Sequence, residues 1–269
     1  MQETIELAGP SLLPVVFTFR NHPATVVSTQ APPLLTTFAE RCQLLQQLGL
    51  QVVWADFDSD FSQQSPTQFV QEVLVKKLRA NWVITGDNYR FGHKAAGNPK
   101  LLQMCSQFRS VIVPDVLHDG AIISSSRIRK CLFEGQVAEA QLLLGRPYAL
   151  QGEVVKGRQL GRELGVPTAN QRVDLEKVCP RFGVYAVNAR LDDQRFAGVA
   201  SLGKRPTVEG DDAEILLETN LFDFNQDLYG RKLSIEFKHW LRAEEKFPDL
   251  ETLKAQMAQD ILNARSLLA

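Results

Sequence analysis

The sequence predicts two domains: an α/β domain built on parallel strands, followed by a small antiparallel β-barrel that ends in a helix. The chain has 269 residues, and at about 150 residues per domain this length corresponds to two domains. The first half alternates short apolar runs with helical periodicity, and the second half changes to apolar residues at every second position. Strands separated by helices favour a parallel sheet, whereas strands of period two joined by short turns favour a barrel.

The first half contains candidate strands separated by candidate helices. Ser65-Pro66-Thr67-Gln68 combines an N-cap serine, a proline at the first helical position and the glutamine of a capping box. Residues 2–7 have helical character and directly precede the first strand, although doubly wound domains usually begin with a strand and a ligand-binding turn. Either that opening strand is missing, or this domain starts with a helix. The candidate strands are residues 13–19, 52–55, 82–85 and 111–113.

The spacing of apolar residues changes after a predicted helix over Val137–Leu144. Gly145 is suited to the C-cap of this helix. Residues 145–148 are interpreted as a linker, so the predicted domains are 1–145 and 146–269. Residues 184–191 alternate apolar and polar side chains and return through a turn as a partner strand, 195–202. The remaining predicted elements are strands at 214–224 and 233–241 and an amphipathic helix from about Asp249.

Composition and charge exclude several classes of protein. Lys and Arg total 30 and Asp and Glu total 31, which gives a net charge of −1 and argues against a nucleic-acid binder. No apolar run approaches the ~20 residues needed to span a bilayer, and the start lacks the features of a signal peptide. The four cysteines include no C-x-x-C pair. We therefore expect a cytoplasmic protein without a membrane or nucleic-acid partner, and its oligomeric state stays open.

The densest candidate binding segment spans residues 157–170, where glycines recur at every fourth position. Such glycines let the backbone approach a bulky anion, and the segment lacks the Gly-Lys-Ser/Thr of a Walker A loop. Hydroxyl and amide oxygens are hard ligands that suit Mg²⁺ shared with substrate phosphates. The alternative is a glycine-rich turn with exposed cations. The candidate phosphate-binding residues are Gly157, Gly161, Arg162 and Gly165, and the candidate Mg²⁺ ligands, also facing phosphate, are Thr168 and Asn170.

Pro167-Thr168-Ala169-Asn170, preceded by Leu160-Gly161-Arg162, resembles the signature of the riboflavin kinase family. Segments similar to its later motifs follow in order at 183–187, 202–208, 221–224, 227–230 and 245–247, so the resemblance covers residues 146–269. It implies transfer of the γ-phosphate of ATP to the primary hydroxyl of riboflavin, which gives FMN. It also implies Glu218 as the catalytic base and a flavin slot near Arg205.

The alternation of residues around Glu218 agrees with the role that the resemblance implies. Ile215, Leu217 and Leu221 occupy odd positions and are expected on the core face, which leaves Glu218 and Asn220 on the opposite face. A carboxylate beside a phosphate loop can accept the proton of an attacking hydroxyl. The alternative is a solvated strand glutamate. Members of the family often have His two residues after this Glu, where this chain has Asn220.

The first half resembles the partner domain of the bacterial bifunctional riboflavin kinase/FAD synthetase family. The resemblance lies in residues 17–23, in the loop 86–92 and in Ile123-Ser-Ser-Ser-Arg-Ile-Arg129. It implies a Rossmann-like nucleotidyltransferase that adenylates FMN to FAD. In the last of these segments, serines at a helix N-terminus and two arginines would favour a pyrophosphate leaving group. The candidate residues of this half are His22, Asp87, Asn88, Ser125, Ser126, Arg127 and Arg129.

One family feature is absent from the sequence. Adenylyltransferases of this type carry a Gly-x-Phe-Asp-Gly-x-His-x-Gly-His turn whose histidines bind the ATP phosphates, and no His-x-Gly-His occurs here. The resemblance places this turn, with the first strand, before Met1. We therefore expect an incomplete first domain and impaired FAD formation. The alternatives are a fully bifunctional enzyme with a mis-assigned start, a non-catalytic flavin-binding regulator and an RNA-directed enzyme.

Overall fold

The chain forms two compact units, Met1–Ile122 and Ile123–Ala269. The computed structural model describes residues 1–28, 30–157, 165–174, 176–205 and 214–269, and it describes only the backbone of Arg205 and Glu214. Among these residues, no helix combines the length and the apolar character needed to cross a membrane. All four cysteines are free thiols.

The first unit contains two parallel pairs of strands, and each pair confirms a strand–helix–strand prediction. β1 (Val15–Phe19) pairs with β2 (Gln51–Ala55), and β3 (Trp82–Gly86) pairs with β4 (Arg109–Val113). A short hairpin of β5 (Leu117–His118) and β6 (Ala121–Ile122) follows. The sequence predicts a parallel sheet, but in the structure β1 and β3 do not hydrogen-bond to each other, so the strands stay in separate pairs.

A cavity of about 600 Å³ lies between the two pairs. Val15 and Phe17 of β1 line it on one side, and Val83 and Thr85 of β3 line it on the other. Residues of α1 (Gln2–Ala8), which directly precedes β1, also contribute to its wall. The facing edges of β1 and β3 therefore have no strand partner among the described residues, and the side chains between them are mainly apolar.

Helices cover the strands of the first unit, and the helix start predicted at Ser65 is confirmed. Thr37 and Ser65 each form a capping box, with Glu40 and Gln68 respectively. After the second box, Phe69–Lys77 is wound as a π-helix rather than an α-helix, and it still buries the apolar set Phe69, Val70, Val73 and Leu74. The remaining helices are α2 (Ala24–Val27), α3 (Phe38–Gln47), α4 (Ser59–Gln63), α5 (Pro66–Gln68), the 3₁₀ turn His93–Ala95 and α6 (Pro99–Gln103).

The second unit is built around a closed six-stranded antiparallel barrel, which confirms the predicted fold class. The strands follow one another around the barrel in the order β10, β11, β8, β7, β12, β9, and β9 closes onto β10. Their bounds are β7 (Tyr148–Val155), β8 (Ala169–Arg172), β9 (Gly183–Leu191), β10 (Gln194–Arg205), β11 (Glu214–Leu221) and β12 (Lys232–Arg242).

Alternation along these strands fills the barrel with large side chains. Tyr185, Leu217 and Phe237 are each at most 1% exposed. Gln171 is also buried, because its side-chain amide donates to the backbone oxygens of Gly152, at 3.0 Å, and Leu233, at 2.7 Å. A buried polar group that forms such bonds avoids much of the cost of leaving water.

Three helices complete the second unit. α7 (Ser125–Phe133) contacts α8 (Val137–Leu144), which ends at Gly145 with φ of 69° and packs on β12 and β7. α9 (Leu250–Leu268) begins close to the predicted start, after the N-cap Asp249, and buries Ala264 against Ala186 of β9. Because α7 and α8 pack with the barrel, the compact unit begins at residue 123. The boundary between residues 145 and 146 stays a prediction about the two functional halves.

Candidate functional site

Glu218 lies in the middle of a row of side chains that crosses three neighbouring barrel strands. On β11 it is directly opposite Asn170 of β8 on one side and Ser201 of β10 on the other. Directly opposed residues point to the same face of a sheet, with Cβ atoms ~4.5–5.5 Å apart. The Glu218 carboxylate and the Asn170 amide therefore share one face of the barrel wall.

The local sequence determines which way Glu218 points. Its neighbours Leu217 and Thr219 are at most 1% exposed inside the barrel, so a period of two directs Glu218 outward, where it is half-buried. Asn220 shares its face, and its side-chain nitrogen donates to the backbone oxygen of Pro167 at 2.8 Å. This hydrogen bond attaches the Pro-Thr-Ala-Asn segment to β11.

The predicted phosphate and Mg²⁺ residues partly converge beside Glu218. A Cβ atom on Gly157 would lie 2.6 Å from Cγ of Asn170, so only glycine leaves room for this amide. The Asn170 nitrogen donates weakly to the backbone oxygen of Thr168, at 3.4 Å, which leaves its Oδ1 atom as an acceptor. Gly165 has φ of 78°, in the left-handed region. The amide oxygen and the Thr168 hydroxyl fit a cation shared with phosphate.

A second carboxylate lies near Glu218, on the opposite side of β11 from Asn170. The Glu244 carboxylate occupies the space where a side chain on Gly203 would stand. Local burial raises the pKa of Glu244, the charge of Glu218 raises it further and Arg242 opposes the shift. Glu244 was not among the candidate residues predicted from the sequence. The glycine at 203, in the segment 202–208, was the signal that something packs closely there.

For three predicted residues of the barrel half, the structure describes the backbone at most. Gly161 and Arg162 lie outside the described residues. Arg205 is the last residue of β10, where its backbone pairs with Glu214, and its side chain is not described. The phosphate roles of Gly161 and Arg162 and the flavin role of Arg205 stay predictions.

Three adenylyltransferase candidates lie in the first unit. The ring Nδ1 atom of His22 accepts from the backbone nitrogen of Ala24 at 3.1 Å, so His22 supports the start of α2. Asp87 and Asn88 are exposed directly after β3. The carboxyl end of a parallel strand is where ligands bind in open α/β sheets, which keeps both residues candidates.

The four other candidates lie on α7, in the second unit. The N-cap of α7 is Ser124, whose hydroxyl accepts from the backbone nitrogen of Arg127 at 3.2 Å, whereas Ser125 and Ser126 are exposed in the first turn. Arg127 forms an ion pair with Glu139 of α8 at 2.9 Å. Burial lowers the pKa of Arg129.

Comparisons with known proteins identify the class of this chain. The family models of riboflavin kinase and FAD synthetase match residues 144–268 and 1–127. A bifunctional riboflavin kinase/FMN adenylyltransferase of Haemophilus influenzae is 39% identical over 241 residues, which cover 88% of this chain and 77% of that protein. The Escherichia coli K12 protein of the same name is 38% identical over 261 residues, covering 94% and 82% respectively.

A solved structure also matches nearly the whole chain. The crystal structure of a macrolide-efflux protein from Streptococcus pneumoniae has a TM-score of 0.86 and 32% sequence identity, and the match covers 96% of this chain and 87% of that one. The barrel and the two matching family models together define a two-domain flavin-modifying transferase. The chain belongs to the bifunctional riboflavin kinase/FMN adenylyltransferase family and carries both of its domains.

Proposed function

We propose that the barrel half, residues 146–269, phosphorylates riboflavin to FMN and that Glu218 is its catalytic base. The row formed by Asn170, Glu218 and Ser201 carries this proposal, because it places a carboxylate one strand from a candidate phosphate site. In this role Glu218 accepts the proton of the riboflavin primary hydroxyl while that oxygen attacks the γ-phosphorus of ATP. ADP then leaves from the opposite side of the phosphorus.

The other site residues position the phosphate donor. Thr168 and Asn170 would hold Mg²⁺, which when bound neutralises phosphate charge. Gly157 keeps space around the Asn170 amide, and Gly161, Arg162 and Gly165 would complete the phosphate loop. Flavin would lie near Arg205. The proposed cofactors are ATP and Mg²⁺. FMN and FAD are the products of the family. We also propose a cytoplasmic location, because the free thiols suit a reducing compartment.

For the first half, residues 1–145, we propose that FAD formation by this chain is impaired. The sequence contains no His-x-Gly-His to stabilise the phosphates of ATP, and loss of one such donor can cost ~2.7–4 kcal/mol of transition-state stabilisation. The cavity between β1 and β3 supports the same proposal, because two open strand edges face each other where a doubly wound sheet would be continuous. His22, Asp87, Asn88, Ser125, Ser126, Arg127 and Arg129 remain its candidate nucleotide residues.

Incubation of the full chain with riboflavin, ATP and Mg²⁺, followed by chromatographic separation of the flavins, tests both proposals. We expect FMN to accumulate and FAD to stay at trace level. Absence of FMN would overturn the kinase proposal. FAD formed as fast as FMN would overturn the proposed impairment and favour a fully bifunctional enzyme.

Replacing Gly157 with valine should weaken binding of the phosphate donor. The new side chain must displace the Asn170 amide, since even a Cβ atom would lie 2.6 Å from Asn170 Cγ. We expect KM for ATP to rise ~10-fold, the effect of losing one charge-assisted contact, while KM for riboflavin changes little. Steady-state kinetics measure both constants. An unchanged KM for ATP would remove Asn170 from the donor site.

A further inference from the structure

Glu244 occupies a defined position on the barrel face that carries Glu218. Gly203 lies two residues from Ser201 along β10, so its open Cα face points to the same side as Glu218. The Glu244 carboxylate fills the space above this glycine. Asn170 lies on β8 and Gly203 on β10, so the two residues flank β11 on opposite sides. Neighbouring strands are ~4.8 Å apart, and the two residues are also offset by two residues along β11, so the Asn170 and Gly203 backbones lie ~12 Å apart.

Hydrogen bonds hold the chain segment next to Glu244 in place, although Glu244 itself is exposed. Arg242, at the end of β12, binds Asp260 of α9 through two pairs of atoms, Nε–Oδ1 at 3.0 Å and Nη2–Oδ2 at 2.8 Å. The same guanidinium donates to the backbone oxygen of Ala243 at 3.0 Å. Asp260 also accepts from Gln256 of the same helix at 2.9 Å. The segment that carries Glu244 is thus held against the barrel, while its carboxylate stays accessible to solvent.

Position and chemistry together define what this carboxylate can bind. If phosphate lies on the Asn170 side of Glu218, the acceptor molecule has to extend towards the Gly203 side. The acceptor proposed above carries secondary hydroxyl groups on the carbons next to the primary hydroxyl that reacts. Hydroxyl groups donate strong hydrogen bonds to a carboxylate, which offers two oxygens. The second carboxylate of this face therefore lies where these donors would be.

We propose that Glu244 binds the secondary hydroxyl groups of the ribityl chain and thereby selects a polyol-bearing acceptor. This inference rests on the proposed kinase function of the barrel half. Glu244 acts on binding and orientation of the acceptor, and Glu218 keeps the role of base. This binding depends on the close contact between Gly203 and the Glu244 carboxylate, because a side chain at position 203 would displace the carboxylate.

Kinetics of Glu244→Gln test the contact, with Glu245→Gln as the matched control, since Glu245 is an exposed carboxylate on the same segment. Loss of hydrogen bonds to a charged group should raise KM for riboflavin ~10-fold or more. KM for ATP should stay within about twofold, and Glu245→Gln should behave as the wild type. An unchanged KM for riboflavin, or an equal rise in both KM values, would overturn the inference.

An acceptor analogue tests the selectivity directly. A flavin with a 5-hydroxypentyl chain keeps the primary hydroxyl and lacks the secondary ones. Wild type should prefer riboflavin over this analogue by ~10-fold or more in kcat/KM, and Glu244→Gln should lose most of this preference. Gly203→Ala should produce the same loss while the carboxylate is retained. If wild type, Glu244→Gln and Gly203→Ala all showed the same ratio of kcat/KM for riboflavin over the analogue, the inference would be overturned.

The design separates this inference from the proposed kinase function. If wild type forms no FMN, the kinase proposal fails. Riboflavin binding, followed by quenching of flavin fluorescence, then tests the contact alone, with ~10-fold weaker binding by Glu244→Gln expected. If wild type forms FMN and Glu244→Gln matches it with both acceptors, only the present inference fails. Thermal unfolding of each variant identifies a loss of kinase activity that arises from misfolding, and Gly203→Ala then provides the independent test.

Discussion

Replacing Glu218 with glutamine should reduce FMN formation by about 10²–10⁴-fold, the usual contribution of a positioned general base. Glutamine keeps the size of the side chain and its place on β11 opposite Asn170, but it cannot accept the hydroxyl proton. The loss should appear in kcat, because the amide removes proton acceptance and leaves the barrel wall intact. Measurement of kcat and KM for both substrates checks this expectation.

The matched control for Glu218 is Glu153→Gln, which removes an exposed carboxylate from strand β7 of the same barrel. Its kcat should equal that of the wild type. If Glu218→Gln retained more than about a tenth of wild-type kcat, Glu218 would not be the general base. A retained rate would also leave the row on the barrel face without its proposed chemical role.

Replacing Asp260 with alanine should destabilise the second unit by about 3–5 kcal/mol. Asp260 and Arg242 have side chains only 5% and 18% exposed and form a bidentate pair, so the single change leaves a largely buried guanidinium without its carboxylate. A loss of this size corresponds to a decrease of about 6–20 °C in Tm. Differential scanning calorimetry of the full chain measures the shift.

A double replacement distinguishes the net contribution of the ion pair to the free energy of unfolding from the destabilisation caused by leaving one charge unpaired. Substituting both partners, Arg242→Met with Asp260→Leu, removes both charges and keeps side chains of useful volume, so stability should recover much of the loss. Equal destabilisation by the single and double variants would show that packing, rather than an unpaired charge, explains the effect. The pair Arg265–Asp223 is a suitable comparison, because both of its side chains are exposed to solvent and its loss should change the stability much less.

Local pattern was sufficient for the elements whose stabilising contacts lie close in sequence. The capping box of Ser65 and Gln68, the helix start near Asp249 and the C-cap Gly145 each depend on atoms a few residues away, and the structure confirms all of them. Period-two alternation likewise predicted that Leu217 is buried and that Glu218 faces outward.

Elements that depend on distant partners were not predictable in this way. The strand β8, Ala169–Arg172, contains mostly polar residues, and its Gln171 becomes a core residue only because Gly152 and Leu233 supply backbone acceptors. Glu244 is an ordinary charged residue until Gly203, far earlier in the chain, leaves space for its carboxylate. The separation of the parallel strands into two pairs was also not predictable, because strand pairing depends on which strands are neighbours in space and not on local sequence.

The route by which the barrel closes has a consequence for how the chain folds. β12 pairs with both β7 and β9. One edge of β7, the first barrel strand, therefore has no hydrogen-bonded partner until β12, the last strand, is in place. Contacts between residues as distant as Tyr148 and Phe237 slow folding, because a long loop must be closed before they contribute. During synthesis, β1 and β2 can pair early, whereas the barrel can close only after β12 has left the ribosome.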